Sequence, residues 1–177
     1  KSGAKIAGSI AEACRGRDAV ISMLADDKAL TEVAKEIVAA LAKGAIHVAM
    51  GTHGVHVLRE VDAWHGNAEQ RFVASPVLGR PDGAAAGQLG ILAAGPADAI
   101  ERLAPLYQAM GRRTFEAGAK PEGAAAVKLA NNMLVGCAIE AMGEAFSLVR
   151  KYGVEAQALY DVMTDGMFAA PVYKVYG

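Results

Sequence analysis

"DAVISMLADDKALTEVAKEIVAALAKGAIHVAM", Asp18 to Met50, decides the fold. Ala19–Leu24 and Ala45–Met50 are continuous apolar runs with several β-branched residues. A run that is apolar on both faces suits a strand covered on both sides, as in a parallel sheet. The segment between them has helical periodicity and predicts an amphipathic helix stopped at Gly44, a C-terminal cap. Strand, helix and strand in that order make one crossover unit.

The same alternation continues outward. "SIAEAC" sets Ser9 three residues before Glu12, a capping box that opens a short helix. "GVHVLREVDAW" predicts a further helix. "RFVASPV" predicts a third strand, broken by Pro76, and "LGILAAG" a fourth. "PADAIERLAPLYQAMG" reads as a helix with Pro at its start, and "RRTFEAG" as a short last strand. Repeated strand–helix alternation is the pattern of an α/β doubly wound, mostly parallel sheet. After Gly118 the period becomes helical throughout, from Gly123 to Tyr152 and again in "EAQALYDVMTDG". The expected division is residues 1–119 as a partial Rossmann-like domain and 120–177 as a partial all-helical domain. One long helix leads from the first into the second. Two or three helices make a thin domain, expected to be completed by more chain or by a partner subunit.

Composition narrows the function classes. The chain has 177 residues, 53% hydrophobic, with 18 basic and 19 acidic side chains. So even a balance gives no electrostatic footprint for nucleic acid or an anionic membrane. Cys14 and Cys137 are too few for a disulfide framework and have no metal-site spacing, which fits a reducing, cytoplasmic setting. No uninterrupted apolar run of about 18 residues is read from the sequence, so no membrane span is expected.

Chemistry centres on "GAAAVKLANNMLVGCAIEAMGEAF", Gly123–Phe146. Between Glu122 and Glu140, Lys128 is the only charged residue. Asn132 follows four residues later, on the same helical face. A desolvated lysine loses pKa and becomes a proton donor and acceptor near neutral pH. The plain alternative is a lysine whose head snorkels to water. A second candidate is "SPVLGRPDGAAAGQLGILAAG", Ser75–Gly95, where Gly79 can offer its N–H and Arg80 its guanidinium to an anion. The same residues also serve as an ordinary turn. Asp26 and Asp27 are expected to cap the following helix. Thr52 lies just past a strand, where a ligand can touch it. His53 reads as a surface residue, His47 as structural, and His56 and His65 as lying on or near a polar helix face; no metal cluster is expected. Met23, Met50, Met110, Met133, Met142 and Met163 read as core.

Together these segments resemble the β-hydroxyacid dehydrogenase family, whose members include 3-hydroxyisobutyrate and 6-phosphogluconate dehydrogenases. "GAAAVKLANN" matches its Gly-x-x-x-x-Lys-x-x-x-Asn motif, which implies Lys128 as catalytic acid–base and Asn132 as its substrate-orienting partner. "DAVISMLADD" resembles the strand and turn that hold the cofactor's adenosine and pyrophosphate, which implies contacts from Met23, Leu24 and Ala25. "HVAMGTHG" resembles the segment that sets a threonine, here Thr52, beside the nicotinamide. The substrate loop implied by the resemblance places Leu78, Gly79 and Arg80 at the substrate. The family usually has Ser-Gly-Gly there, and a serine where Gly51 stands. The Leu78-Gly79-Arg80 triplet, which lacks the loop serine, resembles the branch of glyoxylate and succinic semialdehyde reductases.

The resemblance implies an NAD(P)-dependent oxidoreductase that interconverts a small hydroxyacid or alcohol and its carbonyl by hydride transfer. The cofactor is NADP or NAD, the substrate small and possibly anionic, and the assembly a homodimer or larger through the C-terminal helices. The alternatives are an imine reductase-like enzyme and a non-catalytic dimerisation module of the same fold; Lys128 counts against both. The family's opening strand–GxGxxG–helix does not occur in these residues. The expectation is a central fragment that lacks catalytic activity by itself.

Overall fold

The computed structural model describes residues 3–177. They fall into two compact units that divide between Lys128 and Leu129.

The first unit has the element order α1 (Ile10–Cys14), β1 (Ala19–Ser22), α2 (Asp27–Ala40), β2 (Ile46–Ala49), α3 (Val55–Asn67), β3 (Arg71–Ala74), β4 (Val77–Leu78), α4 (Pro81–Ala85), β5 (Leu89–Ala93), α5 (Ala97–Met110) and β6 (Gly111–Glu116), then the first turns of α6 (Glu122–Lys151). β1, β2 and β3 are parallel neighbours in that order. β5 pairs with β6 in parallel and with the short β4 antiparallel. Mutual hydrogen bonds of 3.0 Å between the backbones of Ala74 and Ala94 join the two sheets. The apolar runs do what their composition requires: every residue of β2 and β5 is buried.

Two cores lie against the strands. Leu30, Leu58, Val61, Phe72 and Leu92 form one, into which α6 sends Ala124 and Ala125. Ile46, Val48, Val73, Ile91, Leu103 and Tyr107 form the other. Full burial of each large side chain contributes roughly 1.5–3 kcal/mol.

Several elements depart from the sequence reading. α2 ends at Ala40 rather than at Gly44. Leu41 turns extended and packs with Cys14, Ile37 and Ala45. Gly44, at φ +74°, instead serves the turn into β2, where its N–H donates to Glu69. "RFVASPV" is two strands, because the chain passes Pro76 and returns antiparallel along β5. The loop after it contains the short helix α4. At α1, Ser9 Oγ accepts the Glu12 N–H at 3.1 Å, while Glu12 reaches the Gly8 N–H at 2.7 Å, one residue ahead of the usual capping-box partner.

The second unit holds the rest of α6 with α7 (Ala156–Asp165) and α8 (Pro171–Tyr176). Met142 and Met163 are buried within it, whereas Met133, read as core, is 62% exposed. By length and composition, α6 is the one helix among the described residues that could cross a membrane, with a mean hydropathy of 1.3 in its best 18-residue window. The sequence reading found no such segment. Apolar and small residues between Lys128 and Glu140 supply it, and core helices of soluble proteins share these properties.

Candidate active site

Lys128 is placed by how α6 begins. Gly123 lets the helix start against the preceding turn, since a Cβ there would lie 2.0 Å from the Ala117 carbonyl oxygen. Glu122 pairs with Arg59 at 2.9 Å, and Ala124 and Ala125 are buried. One turn on, Lys128 is half-buried and its Nζ donates to the Val77 carbonyl at 2.6 Å. The head therefore turns inward to a backbone oxygen. Among the described residues no carboxylate comes within ion-pair range of it. Burial pushes its pKa below the usual lysine value, because no negative charge offsets the lost hydration.

Val77 connects this lysine to a cleft of about 460 Å³. Its walls include Met23, Met50, Val77, Gly79, Arg80 and Met110. Gly79 sits at φ +145°, and a Cβ there would approach a Leu89 methyl to 2.9 Å. Backbone freedom and close packing both require glycine at this position. Arg80 is exposed and leads into α4, whose first residue is Pro81. Leu78 points the other way and packs against the core that holds Phe72. The cleft thus gathers Met23, Gly79 and Arg80, three of the residues singled out by sequence. Met23, read as core, is instead 66% exposed at its wall. Leu24 packs on the core while Ala25 is exposed beyond β1. Thr52 is exposed beyond β2. Asn132 is exposed and belongs to the second unit.

Sequence reasoning missed a buried polar chain. Ser22 Oγ lies 2.8 Å from His47 Nε2, His47 Nδ1 2.8 Å from His65 Nε2, and His65 Nδ1 2.7 Å from Gln70 Oε1. The Gln70 amide nitrogen donates to Val38 and Leu41 at 3.0 and 2.7 Å, so its oxygen must accept. That fixes one direction for the whole chain. His65 gives Nδ1–H to Gln70, His47 gives Nδ1–H to His65, and Ser22 gives its hydroxyl hydrogen to His47. Both rings are neutral in this arrangement. Burial and the neighbouring His65 hold His47 down to about 3, and burial lowers His65 as well.

The placement of His65 on a polar face is therefore overturned: it is fully buried. The signal was present, because His65 continues the Leu58–Val61 stripe at helical spacing. His53 is also buried rather than at the surface, at 3% exposure. The two aspartates divide their work. Asp26 caps α2 through the Ala29 N–H at 2.8 Å, whereas Asp27 accepts the Gly54 N–H at 3.0 Å, at the start of α3.

The residues present fit a dinucleotide at the carboxyl ends of β1 and β2. Successive parallel strands end there, and Met23, Ala25 and Thr52 are left exposed in the turns beyond them. No group of side chains that could hold a metal ion occurs among the described residues.

Comparison with known proteins agrees with this fold. Residues 1–118 match the NAD-binding domain of 6-phosphogluconate dehydrogenase, and residues 123–173 match the NAD-binding region of NADP-dependent 3-hydroxyisobutyrate dehydrogenase. An uncharacterized oxidoreductase of Bacillus subtilis, YfjR, is 36% identical over 99% of this chain and 62% of its own length. The NAD-dependent L-serine dehydrogenase of Pseudomonas aeruginosa is 35% identical over 97% of this chain and 59% of its own. Among solved structures, 3-hydroxyisobutyrate dehydrogenase of Mycobacterium tuberculosis with L-serine superimposes with a TM-score of 0.86 at 30% identity, covering 93% of this chain and 56% of that one. The chain thus spans about three-fifths of the length of these relatives. With both family models matched in order along an α/β unit and the long helix after it, the chain belongs to the β-hydroxyacid dehydrogenase family.

Proposed function

We propose that the complete protein is an NAD(P)-dependent oxidoreductase that interconverts a small hydroxyacid or alcohol and its aldehyde or ketone. The observation that carries the reading is Lys128: half-buried, without an acid partner among the described residues, and bonded to the carbonyl of a residue that lines the Gly79–Arg80 cleft. Bound NAD or NADP supplies the hydride exchange. Met23, Ala25 and Thr52 hold the dinucleotide, with Leu24 keeping the first turn seated on the core.

The protein's own part is a proton and a pose. In reduction Lys128 gives a proton to the substrate oxygen as that oxygen gains charge; in oxidation it takes the hydroxyl proton. Its depressed pKa brings the neutral, accepting form within reach at lower pH than for an exposed lysine. Asn132, one turn along α6, hydrogen-bonds the same oxygen or its neighbour. The Gly79 N–H and the Arg80 guanidinium hold the far, anionic end, in place of the serine of the family's usual loop. The functional division follows residues 1–119 and 120–177, and the protein is a soluble, cytoplasmic homo-oligomer joined through its C-terminal helices.

Lys128→Ala in the complete protein tests the reading. Loss of general acid–base help lowers kcat by roughly 10²–10⁴-fold, with dinucleotide affinity unchanged. Turnover within a few-fold of the unmodified enzyme, in a folded variant, overturns the assignment.

A further inference from the structure

His53 follows Thr52 directly, yet its side chain has no exposure to solvent. Neither ring nitrogen has a hydrogen-bond partner among the described residues. A buried polar group without a partner is unusual and asks for a reason. The nearest acid is Asp27, whose Oδ1 lies 3.4 Å from His53 Nδ1. The same oxygen accepts the Gly54 N–H at the start of α3, while Asp27 itself is the first residue of α2. One carboxylate therefore touches the beginnings of both helices.

Gly51 explains how the ring fits. A Cβ at Gly51 would lie 2.4 Å from His53 Nε2 and 2.6 Å from the Leu24 carbonyl oxygen. The imidazole occupies the space a side chain at position 51 would need. The ring and the Leu24 carbonyl both border that space, so the Thr52 turn lies close to the turn that carries Met23, Leu24 and Ala25. The absence of a side chain at Gly51 and the presence of the ring at His53 are one feature, not two.

The charges around the ring oppose one another. Burial disfavours the imidazolium, and the buried His47 is electrostatically coupled to it; Asp27 and Asp26 favour it. The outcome is a titration below the ordinary histidine value. A proton gained there gives the ring a second N–H and makes the contact with Asp27 charge-assisted, the strong kind of hydrogen bond.

We propose that His53 is a proton-responsive positioning residue: protonated, it bonds Asp27 and draws the Thr52 turn against the start of α2, next to the Met23–Ala25 turn, and neutral, it leaves the Gly54–Asp27 bond to hold the two alone. This rests on the reading that those two turns hold the dinucleotide. Turns already pinned lose less freedom when a ligand arrives, so the dinucleotide binds more tightly to the protonated form.

The experiment has two arms, both on the complete protein. In the first, imidazole NMR follows the His53 titration in the unmodified protein and in Asp27→Asn, whose amide oxygen can still accept the Gly54 N–H. The His53 titration moves to lower pH when the charge is removed; an unchanged titration overturns the pairing. In the second, NAD and NADP dissociation constants are measured across that titration, with near-UV circular dichroism confirming the fold at each pH. Affinity tightens by about 3–10-fold as pH falls in the unmodified protein, and this step is absent from Asp27→Asn and His53→Gln. A step of the same size in both variants overturns the proposal. If no dinucleotide binds at any pH, the functional reading fails, and the NMR arm still decides whether His53 and Asp27 are paired through the proton.

Discussion

The interior and the carboxyl edge of the same strands treat polar groups in opposite ways. Inside, Ser22, His47, His65 and Gln70 form a closed chain in which each donor meets an acceptor. At the edge, among the described residues, His53 makes no hydrogen bond and has only Asp27 at 3.4 Å, Lys128 has only a backbone carbonyl, and Arg80 forms no ion pair. Both regions contain buried nitrogen. Only the interior satisfies it. A satisfied network specifies one core, whereas unsatisfied groups grouped at a cleft are what a fold tolerates where a ligand is to complete them. The difference supports the proposed reading, in which the ligand meets this edge.

Breaking each side tests that contrast. The largest effect belongs to Lys128, and its pH dependence is more telling than its size. In alcohol oxidation the neutral amine must accept the proton, so kcat/KM rises with pH and levels off below the usual lysine value. Lys128→Met removes the rise together with roughly 10²–10⁴-fold of rate. A pH profile of unchanged shape in that variant separates Lys128 from the proton transfer. On the interior side, His47→Leu leaves the Ser22 hydroxyl and His65 Nε2 buried without their partner. Each orphan costs about 1–3 kcal/mol, so unfolding free energy in urea falls by about 2–6 kcal/mol while the Lys128 profile is retained. A loss below about 1 kcal/mol means the chain relaxes around the gap.

The contrast also shows what could be read from residues alone. β2 and β5 were legible because strands covered on both faces are almost wholly apolar, with His47 the one polar side chain in the two. Lys128 stood out because a lone charge in an apolar helix violates the pattern around it, but its bond to the Val77 carbonyl was not legible. The end of α2 was not: Gly44 looked like a cap, but the helix stops where Leu41 must turn to pack against Cys14 and Ile37. The environments of His65 and His53 were not legible either. A histidine's burial depends on the groups that meet it, and here β2 meets His65 and the start of α2 meets His53, each well separated in sequence. The cleft escaped for the same reason, since Met23, Met50 and Met110 meet only after the sheet forms.

A gentler challenge to the interior is acid. His47 is neutral in the fold down to about 3, whereas in the unfolded chain it titrates near the ordinary 6.5. Between those values the unfolded chain binds a proton that the folded one refuses. The stability held by His47 is therefore fully present above about pH 6.5 and is lost as pH falls, at about 1.4 kcal/mol per unit. His65 moves in the same direction. Unfolding midpoints in urea at pH 7.5 and pH 5 should differ by about 2 kcal/mol in free energy. That difference should shrink in His47→Leu; equal slopes in the two proteins place the acid sensitivity elsewhere.

The smallest effect sharpens the other side of the comparison. Arg80 is exposed, so water screens its attraction for an anion and the gain is modest. Arg80→Ala should raise KM for a carboxylate-bearing substrate by about fivefold to tenfold and leave kcat nearly unchanged. A neutral substrate of the same length should show no such rise. The pairing matters more than either value, because removal of a guanidinium also removes packing at the cleft mouth, which affects both substrates alike. A selective rise ties Arg80 to the substrate's charge. Equal rises leave it as a wall of the cleft, and the anion's contact then falls to the Gly79 N–H alone.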